Sequence, residues 1–171
     1  MAPEETPDEP IATAPLHPNS VLVRDAATAA GLDVAVVTYP DGTRTAADAA
    51  AAIGCDVAQI VKSLIFVVGG QVTLALVSGA NQLDEKKLAA ATGGGKAKRA
   101  DADQVREATG FPIGGVPPFG HRTALPVYVD PDLLGFDRVW AAAGTPHTVF
   151  AVAPADLVRV TGATVTELRK G

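Results

Sequence analysis

Apolar positions along the chain switch between two periods. After Ser20, the residues Leu22, Val23, Ala26, Ala27 and Ala30 recur at helical spacing until Gly31, which predicts a helix capped by Ser20. Residues 34–39 form a β-branched run that predicts a strand, and Pro40-Asp41-Gly42 predicts a turn. Thr45 with Asp48 has the capping-box pattern and opens an Ala-rich helix that ends at Gly54. The strongest strand signal follows at residues 60–68. Gly69-Gly70 then makes a two-residue hairpin turn into a second strand over 71–77, which leads into Ser78-Gly79-Ala80-Asn81.

The second half is read in the same way. Asp84 caps a helix running through Leu88 to Ala91, and Gly93-Gly94-Gly95 ends it. A short basic strand covers 96–100. Asp101 with Gln104 opens another helix, closed by Gly110. Residues 111–121 are a Gly/Pro-rich loop. Strands are predicted at 125–130, 136–142 and 147–152, with a helical turn at 131–134, a helix starting at Pro154 and a final strand at 164–168. Hairpins and helices are intermixed, which predicts an α+β domain with a mixed, largely antiparallel sheet and flanking helices.

One position breaks the strand pattern at 60–68. Ile60, Lys62, Leu64, Phe66 and Val68 fall on one face, so an ammonium group interrupts an apolar row. An unpaired buried charge costs several kcal/mol. Lys62 therefore either snorkels to water from the strand's start or serves a pocket that takes an anion.

Composition narrows the function classes. The net charge of −5 argues against a DNA coat, but Glu4, Glu5, Asp8 and Glu9 account for most of it, and six of the fourteen Lys and Arg residues fall between Lys86 and Arg106. A near-neutral body with one basic region can touch a few phosphates. Residues 1–19 combine those acids with five prolines, which predicts a disordered tail ahead of a single domain at 20–171. No apolar run reaches the length of a membrane span, and the first residues lack a secretory pattern. Cys55 is the only cysteine and reads as a small buried hydrophobe. These features together predict a cytoplasmic protein.

The common catalytic motifs are absent from the sequence: Gly-x-Ser-x-Gly, a Walker loop, His-Glu-x-x-His and a strand-borne Gly-x-Gly-x-x-Gly. Gly93-Gly94-Gly95-Lys96 resembles a phosphate loop only superficially, because it follows a helix. His121, His147 and Asp130 are the one combination that suggests a metal. The distinctive segment is Gly114-Gly115-Val116-Pro117-Pro118-Phe119-Gly120-His121. It reads either as a tight connector or as a rigid loop whose backbone N–H groups face a carbonyl or developing oxyanion.

Five segments in order carry a resemblance: Gln59 to Leu64, Val77-Ser78-Gly79, Gly114 to His121, Ala143-Gly144-Thr145-Pro146-His147, and Pro154-Ala155-Asp156-Leu157. Together, over residues 20–168, they resemble the YbaK/prolyl-tRNA synthetase editing-domain family. The resemblance implies a barrel-like mixed sheet and a free-standing deacylase that hydrolyses the ester of mischarged tRNA, of the Cys- or Ala-tRNA(Pro) type, without cofactor or metal. It implies that Lys62 holds a terminal phosphate, that Gly114 and Gly115 contribute backbone contacts, and that His147 lies near the pocket. Ser63, Ser78, Gly79, Pro118, Phe119 and Gly144 are implied to contact substrate. Ser63 stands where other members carry Thr or Asn, which leaves the subgroup open. The implied partners are the aminoacylated tRNA acceptor end, which Lys86, Lys87, Lys96, Lys98 and Arg99 either contact along its stem or leave alone as ordinary solvated faces, and a prolyl-tRNA synthetase or elongation factor, with no DNA and no membrane. The tRNA's own 2′-hydroxyl is implied to help position the water. A binding module that keeps the fold without turnover is the alternative.

Overall fold

The Gly69-Gly70 turn closes the longest hairpin in the computed structural model, which describes residues 15–39 and 45–171. Both glycines have positive φ, 57° and 85°, as a two-residue hairpin turn requires. The turn joins β2 (Val61–Val68) to β3 (Gln71–Ser78), and the two pair antiparallel from Val61↔Ser78 to Val68↔Gln71. β4 (Ala97–Arg99) adds to the outer edge of β2 over Phe66–Val68 only. β5 (Val127–Val129) lies parallel to β3, and β8 (Thr164–Val165) parallel to β5. The order in this five-stranded sheet is β4-β2-β3-β5-β8.

A second, antiparallel sheet has the order β1-β7-β6, formed by β1 (Val36–Thr38), β6 (Val139–Ala142) and β7 (Thr148–Val152). A parallel bridge between Ile60 and Trp140 joins the two sheets at the start of β2. The mixed, mainly antiparallel, barrel-like architecture agrees with the sequence expectation. Between the sheets lies the main apolar core, which includes Val61, Ile65, Leu74, Leu76, Val129, Val139, Phe150 and Leu157.

Helices cover the outside: α1 (Pro18–Ala29), α2 (Ala46–Ile53), α3 (Glu85–Ala91), α4 (Ala102–Thr109) and α5 (Pro154–Thr161). The Thr45/Asp48 and Asp101/Gln104 capping boxes both form, and Gly54 and Gly110 end their helices in the left-handed conformation. On its outer face, β2 presents Leu64, Phe66 and Val68 to a smaller core that includes Leu88 of α3 and Leu168.

The first helix departs from expectation. It begins at Pro18, not after Ser20, and His17 caps it by accepting from Asn19 N through Nδ1 at 3.0 Å. Proline suits the first turn because it has no N–H to leave unpaired. Ser20 is fully buried within the helix and donates to Ala143 O at 2.7 Å. Pro18 and Asn19, assigned from the sequence to the tail, are therefore helical. Residues 1–14 of that tail and the turn expected at 40–42 lie outside the described residues.

Candidate functional site

β4 stops early, and this leaves part of the β2 edge open. Ala100 N donates to Ile65 O, the last bond β4's chain makes to β2. Backbone groups alternate sides along a strand, so Ser63, two residues earlier, turns its own N–H and C=O toward the same edge. β6 meets that edge through the bridge at Ile60, just before β2 begins. The intervening gap is flanked by α4 and the loop that follows it. A cavity of about 20 Å³ lies there, lined by Ser63, Ile65, Ala100, Val105, Ile113, Gly114 and Val116, with Arg99 at its rim. The Ser63 hydroxyl is buried and has no hydrogen-bond partner among the described residues. Such a group costs on the order of 1–3 kcal/mol unless something else meets it.

The loop at 114–121 is fixed from two sides. His121 Nε2 lies 2.6 Å from Pro117 O, which accepts its proton. Phe119 is buried and its ring meets Phe150 at 5.6 Å between centroids, so it belongs to the core. Pro118 is buried as well. Gly115 sits against the turn at Gly144: a Cβ on it would lie 2.8 Å from Thr145 Cα and 2.9 Å from Gly144 C and O. Gly144 is itself pressed onto α1, with Asn19 backbone 2.8 Å from where its Cβ would be, and Asn19 Nδ2 donates to Gly144 O at 3.0 Å. Asn19, Gly144 and Gly115 thus stack backbone on backbone. Asn19 was not singled out from the sequence, since nothing in its local pattern signals a contact 125 residues away.

Gly115 N–H donates to Pro112 O at 2.9 Å, so this donor is taken up by the loop's own turn. Gly114 is the exposed glycine of the pair and lies beside Pro146.

Lys62 and Ser63 leave opposite faces of β2. Lys62 is half-buried on the outer face, and its Nζ donates to the Asn81 carbonyl. The Asn81 side chain is held in turn by Asp132 Oδ2 at 2.8 Å and Asp130 Oδ2 at 3.4 Å. No carboxylate among the described residues pairs with Lys62. Burial, and then the Arg99 guanidinium, lower its pKa below the ordinary lysine value. Lys62 is thus an uncompensated cation at the open stretch of β2 but does not line the Ser63 cavity. Asn81 and Arg99 complete this arrangement; Arg99 belongs to the basic region read from the sequence, while Asn81 carries no motif that assigns it this role.

The remaining expected residues are dispersed. Ser78 is buried, with its hydroxyl donating to Ala58 O at 2.7 Å and accepting from Ala80 N at 3.2 Å. Gly79 leaves no room for a side chain, since a Cβ would meet Val57 O at 2.5 Å. Both fasten the turn that precedes β2. His147 is exposed on the Gly144 turn, where its N–H donates to Thr145 Oγ1 at 3.2 Å. His121, His147 and Asp130 do not come together: Asp130 is fully buried and accepts from Leu168 N at 2.9 Å. Among the described residues, no three His, Cys, Asp or Glu side chains gather as metal ligands, and no helix is long and apolar enough to cross a membrane.

His121 gives a pH prediction. Burial outweighs the hydrogen bond to Pro117 and lowers its pKa below 6.5. The unfolded chain then takes up the proton first, so this group's contribution is present above about pH 6.5 and is lost as pH falls toward its folded value. Thermal melts from pH 7.5 to 5.5 should show the wild type losing stability faster than His121→Gln, which should itself cost about 1 kcal/mol at pH 7.5. Parallel curves would remove His121 as the clamp.

Comparison with known proteins bears on the family and the fold. A solved structure described as a candidate trans-editing enzyme for prolyl-tRNA synthetase is 48% identical and superposes with a TM-score of 0.88, covering 92% of this chain and 100% of that one. An uncharacterized Bacillus subtilis protein, YwhH, is 36% identical over 123 residues, 71% of this chain and 78% of that protein. A proline–tRNA ligase of Maridesulfovibrio salexigens is 33% identical over 93 residues, 54% of this chain but only 16% of the ligase. The match thus spans about half of this chain and a small part of the ligase. The family profile of the aminoacyl-tRNA editing domain matches residues 40–160, and with a YbaK-type editing fold spanning both sheets, the chain belongs to the aminoacyl-tRNA editing domain family.

Proposed function

We propose that this protein is a trans-editing aminoacyl-tRNA deacylase that hydrolyses the ester of mischarged tRNA, with Cys- or Ala-tRNA(Pro) as the substrate class. The observation that carries the reading is the buried, unpartnered Ser63 hydroxyl facing a cavity beside Gly114. A cavity of about 20 Å³ suits one water. An aminoacyl group enters only if the exposed Ile113 and Gly114 swing outward.

The chemistry asks little of the protein. An ester is more reactive than an amide, and fixing water and carbonyl at reacting distance supplies much of the needed acceleration. Ser63 offers its hydroxyl and edge-facing backbone N–H to the water and the carbonyl oxygen. Water attacks the ester carbon, the tetrahedral oxyanion is stabilised by such donors, and the ribose hydroxyl leaves as the amino acid is released. The neighbouring 2′-hydroxyl of the substrate orients the water in place of a protein base. Lys62 holds a phosphate near the terminal adenosine as a point charge. His147 contacts the same end from the Gly144 turn.

The test is release of amino acid from Ala-, Cys- and Ser-charged tRNA. Wild type releasing none of them sinks the proposal. Ser63→Ala should reduce kcat by about tenfold or more while leaving stability unchanged or raised by about 1 kcal/mol, since an unpaired buried hydroxyl is removed. A substrate lacking the terminal 2′-hydroxyl should be cleaved poorly, and normal rates on it would refute substrate assistance.

A further inference from the structure

A second cavity lies beside the Ser63 site, where β4 meets the Gly69-Gly70 turn. It measures about 460 Å³, within the range of ligand-binding clefts. The Gly69-Gly70 turn forms its floor, and Lys96, Lys98 and Arg99 line its walls. Two glycine turns keep it open. Gly95 stacks on the hairpin so closely that a Cβ would lie 3.2 Å from Gly69 Cα, and neither turn offers a side chain to fill the space. Lys98 stands opposite Val67 across the β2–β4 ladder, and Lys96 lies two residues earlier on the same face.

The charge in this cavity is unbalanced. The ion pairs among the described residues are made elsewhere, by Arg24, Lys87, Arg159 and Arg169. The one acid in the wall, Asp101, turns its carboxylate to Gln104 N at 2.8 Å as the cap of α4. Three cations thus face solvent over a backbone floor, with one acid whose charge is met by a helix N-terminus. Arg99 lines this cavity and also the Ser63 cavity, so one side chain borders both. Its guanidinium is held over the Phe66 ring, 5.9 Å from the centroid, which steadies it between them.

We propose that this basic cavity binds the phosphodiester backbone of the acceptor strand of the tRNA whose 3′ end occupies the Ser63 cavity. The inference rests on the deacylase reading for the location of that 3′ end, and adds to it the direction in which the RNA leaves. From the Ser63 cavity the strand passes Arg99 and runs along β4 toward Lys98, Lys96 and the glycine turns. The site reads no base. It recognises ribose-phosphate charge and is salt-sensitive.

The experiment compares wild type with a Lys96→Ala/Lys98→Ala double variant on two substrates: intact charged tRNA, and an aminoacylated CCA trinucleotide that has no stem. The double variant should lose about tenfold or more in kcat/KM on intact tRNA, mainly through KM, and be unchanged on the trinucleotide. Its log–log salt dependence for binding uncharged tRNA should be shallower by roughly two, and Lys96→Arg/Lys98→Arg should restore both. Equal losses on both substrates, or no loss on either, overturn the proposal. If wild type cleaves neither substrate, the deacylase reading has failed, and the salt dependence of tRNA binding alone decides: an unchanged slope in the alanine double variant overturns this site.

Discussion

Gly115→Ala is expected to cause the largest loss of any single substitution in the Gly114–Pro118 loop. The added methyl would lie 2.8 Å from Thr145 Cα and 2.9 Å from Gly144 C and O, and these are backbone atoms that cannot rotate away. Gly144 cannot retreat either, because Asn19 backbone stands 2.8 Å from its own Cβ position. The loop must then lift from the turn, taking Gly114 and Val116 away from Ser63. Overpacking of this kind costs about 1–3 kcal/mol. A displacement of about 1 Å can cost on the order of 10²-fold in rate. Thermal melts and deacylation assays should show both losses. Gly114→Ala is the contrasting variant: its φ of 87° makes alanine strained, but its nearest neighbour is Pro146 at 3.8 Å. It should cost about 1 kcal/mol and keep the loop seated. If Gly115→Ala melts and turns over like wild type, the close stacking of loop, turn and helix does not govern the site.

That stacking also explains which parts of the protein were legible in its sequence. Element types followed from local chemistry: the Gly69-Gly70 turn, the Thr45 and Asp101 capping boxes and the glycine stops each act within a few residues, and each forms. The start of α1 was missed because two caps competed. Ser20 has the better capping side chain, but Pro18 at the first turn and the His17 ring set the boundary, and Ser20's hydroxyl is drawn to Ala143 O across the fold. No local rule reports such a long-range partner.

The candidate site was legible as a set of segments and not as a geometry. Alternation along β2 correctly put Lys62 with Leu64, Phe66 and Val68, whereas the place of Ser63 beside Gly114 emerges only from the fold. The sequence marks the lysine as the anomaly because a charge stands out among apolar residues. It gives no sign that the serine beside it has an unpaired hydroxyl, since that depends on where β4 ends. The commitment of Gly115 N–H to Pro112 O was hidden for a similar reason: two adjacent glycines announce a turn but not which N–H the turn consumes.

Lys62→Ala should lower kcat/KM on charged tRNA by about ten- to a hundredfold, the value of one charge-assisted hydrogen bond to phosphate. Stability should change little, because the ammonium's one hydrogen-bond partner among the described residues is the Asn81 carbonyl. The pH profile separates a charge role from a packing role. Burial and then Arg99 lower the lysine's pKa, so its charge is lost at a lower pH than that of an exposed lysine. Enzyme-dependent kcat/KM should therefore fall as pH climbs toward that lowered value. Lys62→Arg holds its charge throughout, and should push the alkaline limb upward even if its planar head fits less well. Asn81→Ala should give a smaller loss in the same direction, because Asp132 and Asp130 then no longer anchor the segment whose carbonyl aims the ammonium. An alkaline limb that stays in place in Lys62→Arg, or undiminished turnover by Lys62→Ala, would show that the cation on the outer face of β2 takes no part in holding substrate. The phosphate anchor would then fall to Arg99, which Arg99→Ala in the Lys62→Ala background would reveal as a loss absent from Lys62→Ala alone.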